Sequence, residues 1–525
     1  MNKKNERLSA VSAPDRRALL GVGLVLLILT AVLLANSMTK PVSRDEHMYC
    51  TAGVLLARGQ AIYRDFAYPS QLPYHPLLLA ALYRVSGTSH YLLVGRLVSV
   101  FCEILILVSI VGIYRSLFGA RRPVGLLLGA AGAVLYVFNP LVDYAAGYAW
   151  NHDLVILCVL VSFWILITTD FDRKPSGPRL ALIGGLLALA TCTRVTTVLV
   201  ALFFVGVILV RTKGRVQQRM RAVLPFIGAG LVVSSWPIWV AMQAGDAFWL
   251  NLMRIPSLYG QWLHQIGIVH SKVALTIAAF TEPGYLVLWG LVGYSVWIAV
   301  RRWSVLKREQ RMTLVAAALL PALFFLIAYI PPTMWRQYLA IPVPFIIVAL
   351  APPLAALHSE SDKGKAPHST RLATIVIGCC VAVTVLSNAP ALVRSIAALA
   401  PEYWTPVASH RACRELLRDT DASRPVLTLG PLYALEAGCD IYPELASGSI
   451  IYRAANLMST EERALASTVG PEELADLVQA RPPAAVILGV EPSYFAFLEE
   501  PLEKLIPSGW RRDVSEEGLR FYRAP

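Results

Sequence analysis

A series of apolar runs with almost no charged residues constrains this chain most: most are about 18 residues or longer, enough to cross roughly 30 Å of bilayer hydrocarbon. They fall near 18–37, 92–113, 123–142, 153–169, 180–193, 196–210, 222–243, 284–300, 313–330, 338–357 and 372–390. The fifth and sixth are short and meet at Thr193-Arg194, which leaves two crossings or one bent re-entrant pair open. With 56% hydrophobic and 15% charged residues and a mean hydropathy of +0.56, the chain has too little polar surface for a soluble globule. The formal charge of +13 does not point to nucleic acid, because the bases are not gathered on one polar domain. They lie between the apolar runs. The reading is an α-helical polytopic membrane protein with about eleven transmembrane helices.

Orientation follows from where those bases sit. With the tail 1–17 in the cytoplasm, one side gathers Arg115, Arg121 and Arg122, then Arg173, Lys174 and Arg179, then the runs within 211–221 and 301–311, then Lys363, Lys365 and Arg371. The opposite short loops hold few: none between Asp143 and His152, Arg194 in the next, Arg336 in another. The positive-inside rule therefore puts the N-terminus in the cytoplasm, and an odd number of spans exports the C-terminus. Lys3, Lys4, Arg7, Arg16 and Arg17 precede a full-length apolar run with no small-residue cleavage site close behind it, so the first run reads as a retained helix.

Two outer segments, 38–90 and 244–283, are too long for simple loops, and the second is rich in interface-seeking Trp, Tyr and His. The membrane part is thus expected over 18–394. Beyond about 395 a globular pattern begins. The stretches 425–429 (PVLTL) and 484–488 (AAVIL) read as buried strands, with helices near 460–480 and 493–506, and 519–522 closing a small α/β domain over 395–525. Cys413 and Cys439 fall in this exported part, where a disulfide or two separate thiols are both open. No zinc-type CxxC pair occurs among the eight cysteines, and no other metal-ligand set is evident.

The chemistry-bearing segment is 41–59, PVSRDEHMYCTAGVLLARG. Ser43 and Glu46 have capping-box spacing, apolar residues follow, and Gly59 ends the run, so a short surface helix is expected directly after the first span. Glu46 is explained by reaching back to the cap. Asp45 is not, because it faces the membrane interface beside an apolar helix. The helix dipole offers the bland account of both acids.

Asp45-Glu46 just after a first span resembles the acidic pair of the GT-C glycosyltransferases, in the branch of bacterial aminoarabinose transferases and protein O-mannosyltransferases. The following run, LLARGQAIYRDFAYPSQLPYHPLLL, has that family's Gly, Tyr-x-Asp-Phe and Pro pattern. Gly95-Arg96-Leu97, Asn151-His152-Asp153, and Arg336-Gln337-Tyr338 with Pro342 and Pro344 extend the resemblance over most of the membrane part. No WWD motif appears, which discounts the oligosaccharyltransferase branch. The resemblance implies inverting transfer of a sugar from a polyprenyl-phosphate donor to a lipid, glycan or protein acceptor, on the periplasmic face of a bacterial inner membrane. It implies no cofactor and no essential metal.

Phosphate is a good leaving group, so such a transfer needs one base for the incoming hydroxyl and cations for the phosphate rather than two carboxylates. Asp45 is the expected base. Asp153 is a second candidate, since an acid at the end of an apolar span is costly unless it is used; its bland role is an ordinary helix-end acid. For the substrate, Arg96, Arg194 and Arg336 are expected at the phosphate with Tyr338, and Glu46 beside them. Lys272, His264 and His270 are weaker candidates. Snorkelling to lipid headgroups is the bland role of each cation. Asp143 is expected in solvent, and Asp65 as a structural partner of Arg64 or of backbone. Asp419-Thr420-Asp421 resembles a nucleotide-sugar DxD motif but lies in an exported polar stretch, where nucleotide sugars are absent. A transporter or flippase of lipid-linked saccharide is the rival; no inverted repeat or matched pair of broken helices supports it. A receptor with an exported sensor would not need so many spans.

Overall fold

The computed structural model describes residues 13–119, 123–171, 175–268, 271–361, 367–421 and 423–524. Lys3, Lys4, Arg7, Arg121, Arg122, Arg173, Lys174, Lys363, Lys365 and His270 lie outside them. All eleven apolar segments are helical. Among the described residues six helices are long and apolar enough to cross a membrane, and one further pair is bent by 64° between Ser387 and Pro390. The remaining four, Pro123–Val137, His152–Thr168, Gly177–Thr191 and Val195–Arg211, are shorter. The outward faces of several helices are apolar: Leu20 is 75% exposed, Met242 76% and Leu386 75%. Water would not tolerate that much contiguous hydrocarbon, whereas lipid solvates it. The chain is an integral membrane protein.

Four elements position the site. Helix α1 (Ala13–Thr39) leads through Lys40 to α2 (Arg44–Ala57), and α3 (Tyr74–Ser86) precedes α4 (Tyr91–Phe118). Between α1 and α2 the Lys40 ammonium donates to the carbonyls of Asp143, Tyr144 and Ala146, tying the C-terminal end of the short helix Pro140–Ala145 to the end of the first span. Burial pushes the Lys40 amine down to about 7. Asp143, expected in solvent, instead accepts two short hydrogen bonds from Arg394 at 2.6 and 2.7 Å. Glycines let these elements close on one another. A Cβ at Gly53 would lie 2.8 Å from that of Leu79, and one at Gly95 would lie 2.8 Å from that of Ala149. The first lets α2 lie against α3, and the second brings the 146–150 loop onto α4.

The C-terminal part holds a five-stranded sheet of β1 (Pro425–Thr428), β2 (Asp440–Ile441), β3 (Ala485–Leu488), β4 (Arg511–Val514) and β5 (Arg520–Arg523), in the order β2-β1-β3-β5-β4. The first three strands are parallel, with Leu427 opposite Val486, and β5 runs antiparallel to β3 and β4. The three strands expected from the sequence are present. The two unforeseen ones lacked an apolar signal: β2 is two residues long, and β4 (RRDV) is a largely exposed edge. The expected helix over 460–480 is two, Thr460–Leu465 and Leu474–Ala480, parted around Gly470-Pro471. Over 493–506 a 3₁₀ turn (Ser493–Leu498) precedes one α-turn (Glu500–Glu503). Cys413 and Cys439 are separate, buried free thiols, not a disulfide. One apolar core joins both regions: Tyr49, Leu79 and Tyr83 pack in the same cluster as Leu432, Leu435 and Phe521. The sheet region therefore forms part of the wall of whatever lies beside α2.

Candidate active site

Helix α2 begins as its sequence dictates. Ser43 is the cap, and its backbone N–H donates to Glu46 Oε2 at 2.8 Å. Glu46 does much more than cap. Its two oxygens also accept from Arg96 Nε and Nη2, both at 2.8 Å, and from the Ala149 N–H at 2.8 Å. Arg96 in turn donates to the carbonyls of Ser37, Lys40 and Pro41. Both side chains are wholly buried. Neither reaches the cavity described below, which corrects their expected place at the substrate: every oxygen and every guanidinium nitrogen is already used in joining α1, α2 and α4.

Asp45, one residue earlier, points the other way. Its carboxylate makes no hydrogen bond or ion pair to any described residue, and it opens on a cavity of about 290 Å³, the scale of a small-ligand pocket. Tyr49, Tyr144, Trp150, Tyr259, Trp335 and Tyr338 give that cavity aromatic walls. Arg44, Asp45 and Arg453 are its charged lining. Burial raises the Asp45 pKa above its ordinary 3.8, with Arg44 and Arg453 partly offsetting the rise. An unpaired carboxylate with raised proton affinity, set in an aromatic cavity, can take a proton from a bound hydroxyl.

The remaining expected residues divide. Tyr338 lines the cavity, and Arg194 lies against its ring at 4.4 Å. Arg194 is 7% exposed and has no carboxylate partner among the described residues. Arg336 sits outside the cavity lining, paired with Glu282 at 2.7 Å and over the Tyr144 ring at 4.8 Å. Asp153 corrects the expectation of a second base at the same place. It faces a separate void of about 10 Å³ with Glu103 and Tyr136. Lys272 is spent on the carbonyls of Tyr329 and Pro331. His264 lies apart, at an outer groove with Gln261 and Pro332. Asp65 holds Arg64 at 2.8 Å and the Ala61 N–H at 2.7 Å, the structural role expected of it.

Two features went unread in the sequence. Arg453 and Tyr494, both from the sheet region, line the cavity beside Arg44. Glu491 lies behind them, 2.6 Å from Arg453 and 3.5 Å from Arg44. No spacing along the chain marks these residues as partners. The fold also gathers His90, His410 and Glu436, with donor atoms within 4.8 Å of one another. The two rings are stacked 3.6 Å apart, so their lone pairs run alongside each other rather than converge, and His410 Nδ1 is already 2.5 Å from Glu436. None of the three touches the cavity; they fasten α4 to the sheet region through the Leu92 N–H, which donates to Glu436 at 2.7 Å.

A bundle of apolar helices, a short helix with an acidic pair directly after the first of them, and an α/β part packed beside it make up a fold that this chain shares with two solved membrane proteins, ArnT and an archaeal oligosaccharyltransferase. The chain superimposes on ArnT from Cupriavidus metallidurans bound to undecaprenyl phosphate with a TM-score of 0.62 at 12% identity, covering 97% of this chain and 98% of that one. Its apo form gives 0.60 at 13% identity, with the same coverage of both chains. The Archaeoglobus fulgidus oligosaccharyltransferase, apo, gives 0.52 at 10% identity, covering 97% of this chain and 74% of that one. Comparison of the sequence with family models and with curated proteins finds no match.

Proposed function

We propose that this protein is an inverting glycosyltransferase, moving a sugar from a polyprenyl-phosphate carrier to an acceptor hydroxyl on the outer face of a bacterial inner membrane. The observation that carries the reading is Asp45: a half-buried carboxylate with no hydrogen-bond or ion-pair partner among the described residues, at the head of α2, in an aromatic cavity. The acceptor O–H gives its proton to Asp45 while the oxygen attacks the anomeric carbon. The bond from that carbon to the phosphate oxygen breaks, its electron pair leaves with the polyprenyl phosphate, and the configuration inverts. Asp45 then returns the proton to water.

Arg194 and Tyr338 are assigned to the phosphate. Arg194 is a buried cation that has no carboxylate partner among the described residues and lies against a cavity wall, whereas Arg96 and Arg336 already hold theirs. Two fold neighbours add support through their ligands, undecaprenyl phosphate in ArnT and dolichol-phosphate in the archaeal enzyme AglB. The orientation drawn from the basic loops belongs to the same reading, with the N-terminus cytoplasmic and 395–525 exported. A flippase would not need a carboxylate held unpaired at the cavity.

The test is Asp45→Asn with a radiolabelled polyprenyl-phosphate pentose or hexose and membrane acceptors. Transfer should fall at least the ~10²-fold typical of losing a general base, with undecaprenyl-phosphate affinity unchanged. Undiminished turnover in Asp45→Asn would remove the mechanism.

A further inference from the structure

Two charges of each sign meet at the head of α2. Arg44, Asp45 and Arg453 line the cavity, and Glu491 lies behind them outside the lining, so the four groups sum to zero. Their pairing is uneven. Arg453 Nη2 donates to Glu491 Oε2 at 2.6 Å, and Arg44 Nη1 stands 3.5 Å from the same oxygen. Both guanidiniums also lie over the Phe495 ring, Arg44 at 5.2 Å and Arg453 at 4.5 Å from its centre. Asp45 shares the cavity with both cations, and both favour its charged form, yet it makes no hydrogen bond or ion pair to either. An arginine beside a carboxylate ordinarily closes on it with two parallel hydrogen bonds. Here the buried Glu491 carboxylate has taken both arginines instead.

The loop that carries Glu491 is built to hold one position. It leaves the end of β3, and the Glu499 carboxylate accepts the backbone N–H groups of Gly489, Val490 and Glu491 at 2.6, 2.8 and 3.3 Å. Arg453 is fixed from its other side, where Nη1 donates to the Tyr259 hydroxyl at 3.1 Å. From this geometry, and resting on the transferase reading above, we infer that Glu491 is a positioning residue: it draws Arg44 and Arg453 off Asp45 and so keeps that carboxylate free to take the acceptor's proton. The sheet region thus acts on the base without touching the substrate. Without the Glu491 charge, two guanidiniums face one carboxylate, and an Asp paired with Arg titrates about one to three units lower. Among the described residues no other anion at the cavity replaces Glu491. Glu46 turns away into its pair with Arg96, and Arg194, behind Tyr338, is itself a cation. The phenols around the cavity, Tyr49, Tyr144, Tyr259, Tyr338 and Tyr494, are neutral at neutral pH, and His152 is never an anion. A base lowered in this way accepts a proton less readily, and transfer slows.

The experiment titrates Asp45 itself. The full chain, isotope-labelled at its aspartate carboxyls and held in lipid nanodiscs, reports the ionisation by NMR, with the signal assigned by its loss in Asp45→Asn. Glu491→Gln keeps the shape of the side chain but removes its charge, and should lower the Asp45 midpoint by about one pH unit or more. Glu491→Asp keeps the charge but cuts the reach by one methylene. It should lower the midpoint by less, and it decides the matter where Glu491→Gln does not fold. Glu491→Gln combined with Arg44→Gln leaves one guanidinium for one carboxylate, and should bring the midpoint back up from that of Glu491→Gln. A merely structural role predicts lower melting temperatures, lowest in the double variant, with the midpoint unmoved. In a pH–rate profile with a radiolabelled decaprenyl-phosphate pentose or hexose, the acid limb should follow the midpoint. The plateau rate of Glu491→Gln should fall roughly three- to tenfold as the base weakens. An unmoved or raised midpoint in the single variants overturns the inference, as does a double variant no higher than Glu491→Gln alone. If the midpoints move as stated but the wild type transfers neither sugar, the transferase reading falls while the hold of Glu491 on the two arginines stands.

Discussion

Replacing Arg96 by methionine tests whether the buried acid of the DE pair is structural. Arg96 makes two hydrogen bonds of 2.8 Å to Glu46 and reaches the carbonyls of Ser37, Lys40 and Pro41 at 2.7, 2.9 and 3.0 Å. Methionine keeps the apolar stem but strands the Glu46 carboxylate in the interior. An orphaned charge of this kind costs about 3–5 kcal/mol, and each carbonyl left without a donor about a further 1 kcal/mol. Glu46→Gln should be comparably harmful, although a capping role alone would predict otherwise. The four donors now converging on two carboxylate oxygens would meet an amide that accepts through one oxygen and presents its own N–H groups on the other side. The assay is thermal unfolding in detergent, paired with undecaprenyl-phosphate affinity of the folded fraction at low temperature. Both variants should melt well below the wild type while the folded fraction keeps its affinity. Normal melting with lost affinity would refute the reasoning and return both residues to the substrate.

Asp45 must be ionised to act as a base, and burial raises its pKa, so turnover should climb with pH in a window above 3.8, and Arg44→Gln should shift that acid limb further upward in a pH–rate profile. The stability sign is opposite: the folded state binds this proton more tightly than the unfolded chain, so Asp45 favours folding at low pH and that contribution is lost as pH rises through the raised pKa. Asp45→Asn should therefore melt no lower than the wild type at pH 7. Arg194→Gln removes charge-assisted hydrogen bonding worth about 1.5–3 kcal/mol, so undecaprenyl phosphate should bind roughly 10- to 100-fold more weakly by titration. Cys413 and Cys439 should both be alkylated after denaturation without reductant, as mass spectrometry of their peptides would report.

What the sequence determined by itself was everything set by local pattern and by solvent. Long apolar runs have one stable environment, so the membrane helices and their order were legible. The Ser43–Glu46 spacing set the start of α2, and with it the side to which Asp45 turns. Alternating or continuous apolar residues gave β1, β3 and β5. The tertiary structure decided what depends on residues distant in the chain. Nothing near Arg96 says that its fork closes on Glu46 rather than on phosphate; that follows from α4 crossing the end of α1, where three backbone carbonyls lack other donors. Arg194 and Arg336 look alike in sequence, at polar breaks between apolar runs, yet among the described residues one has no carboxylate partner and the other has Glu282. Arg453 gave no signal at all, because an arginine in a polar segment is ordinary until the sheet region packs beside α2. Ion pairing is a property of who arrives within a few ångströms, and periodicity carries no record of it.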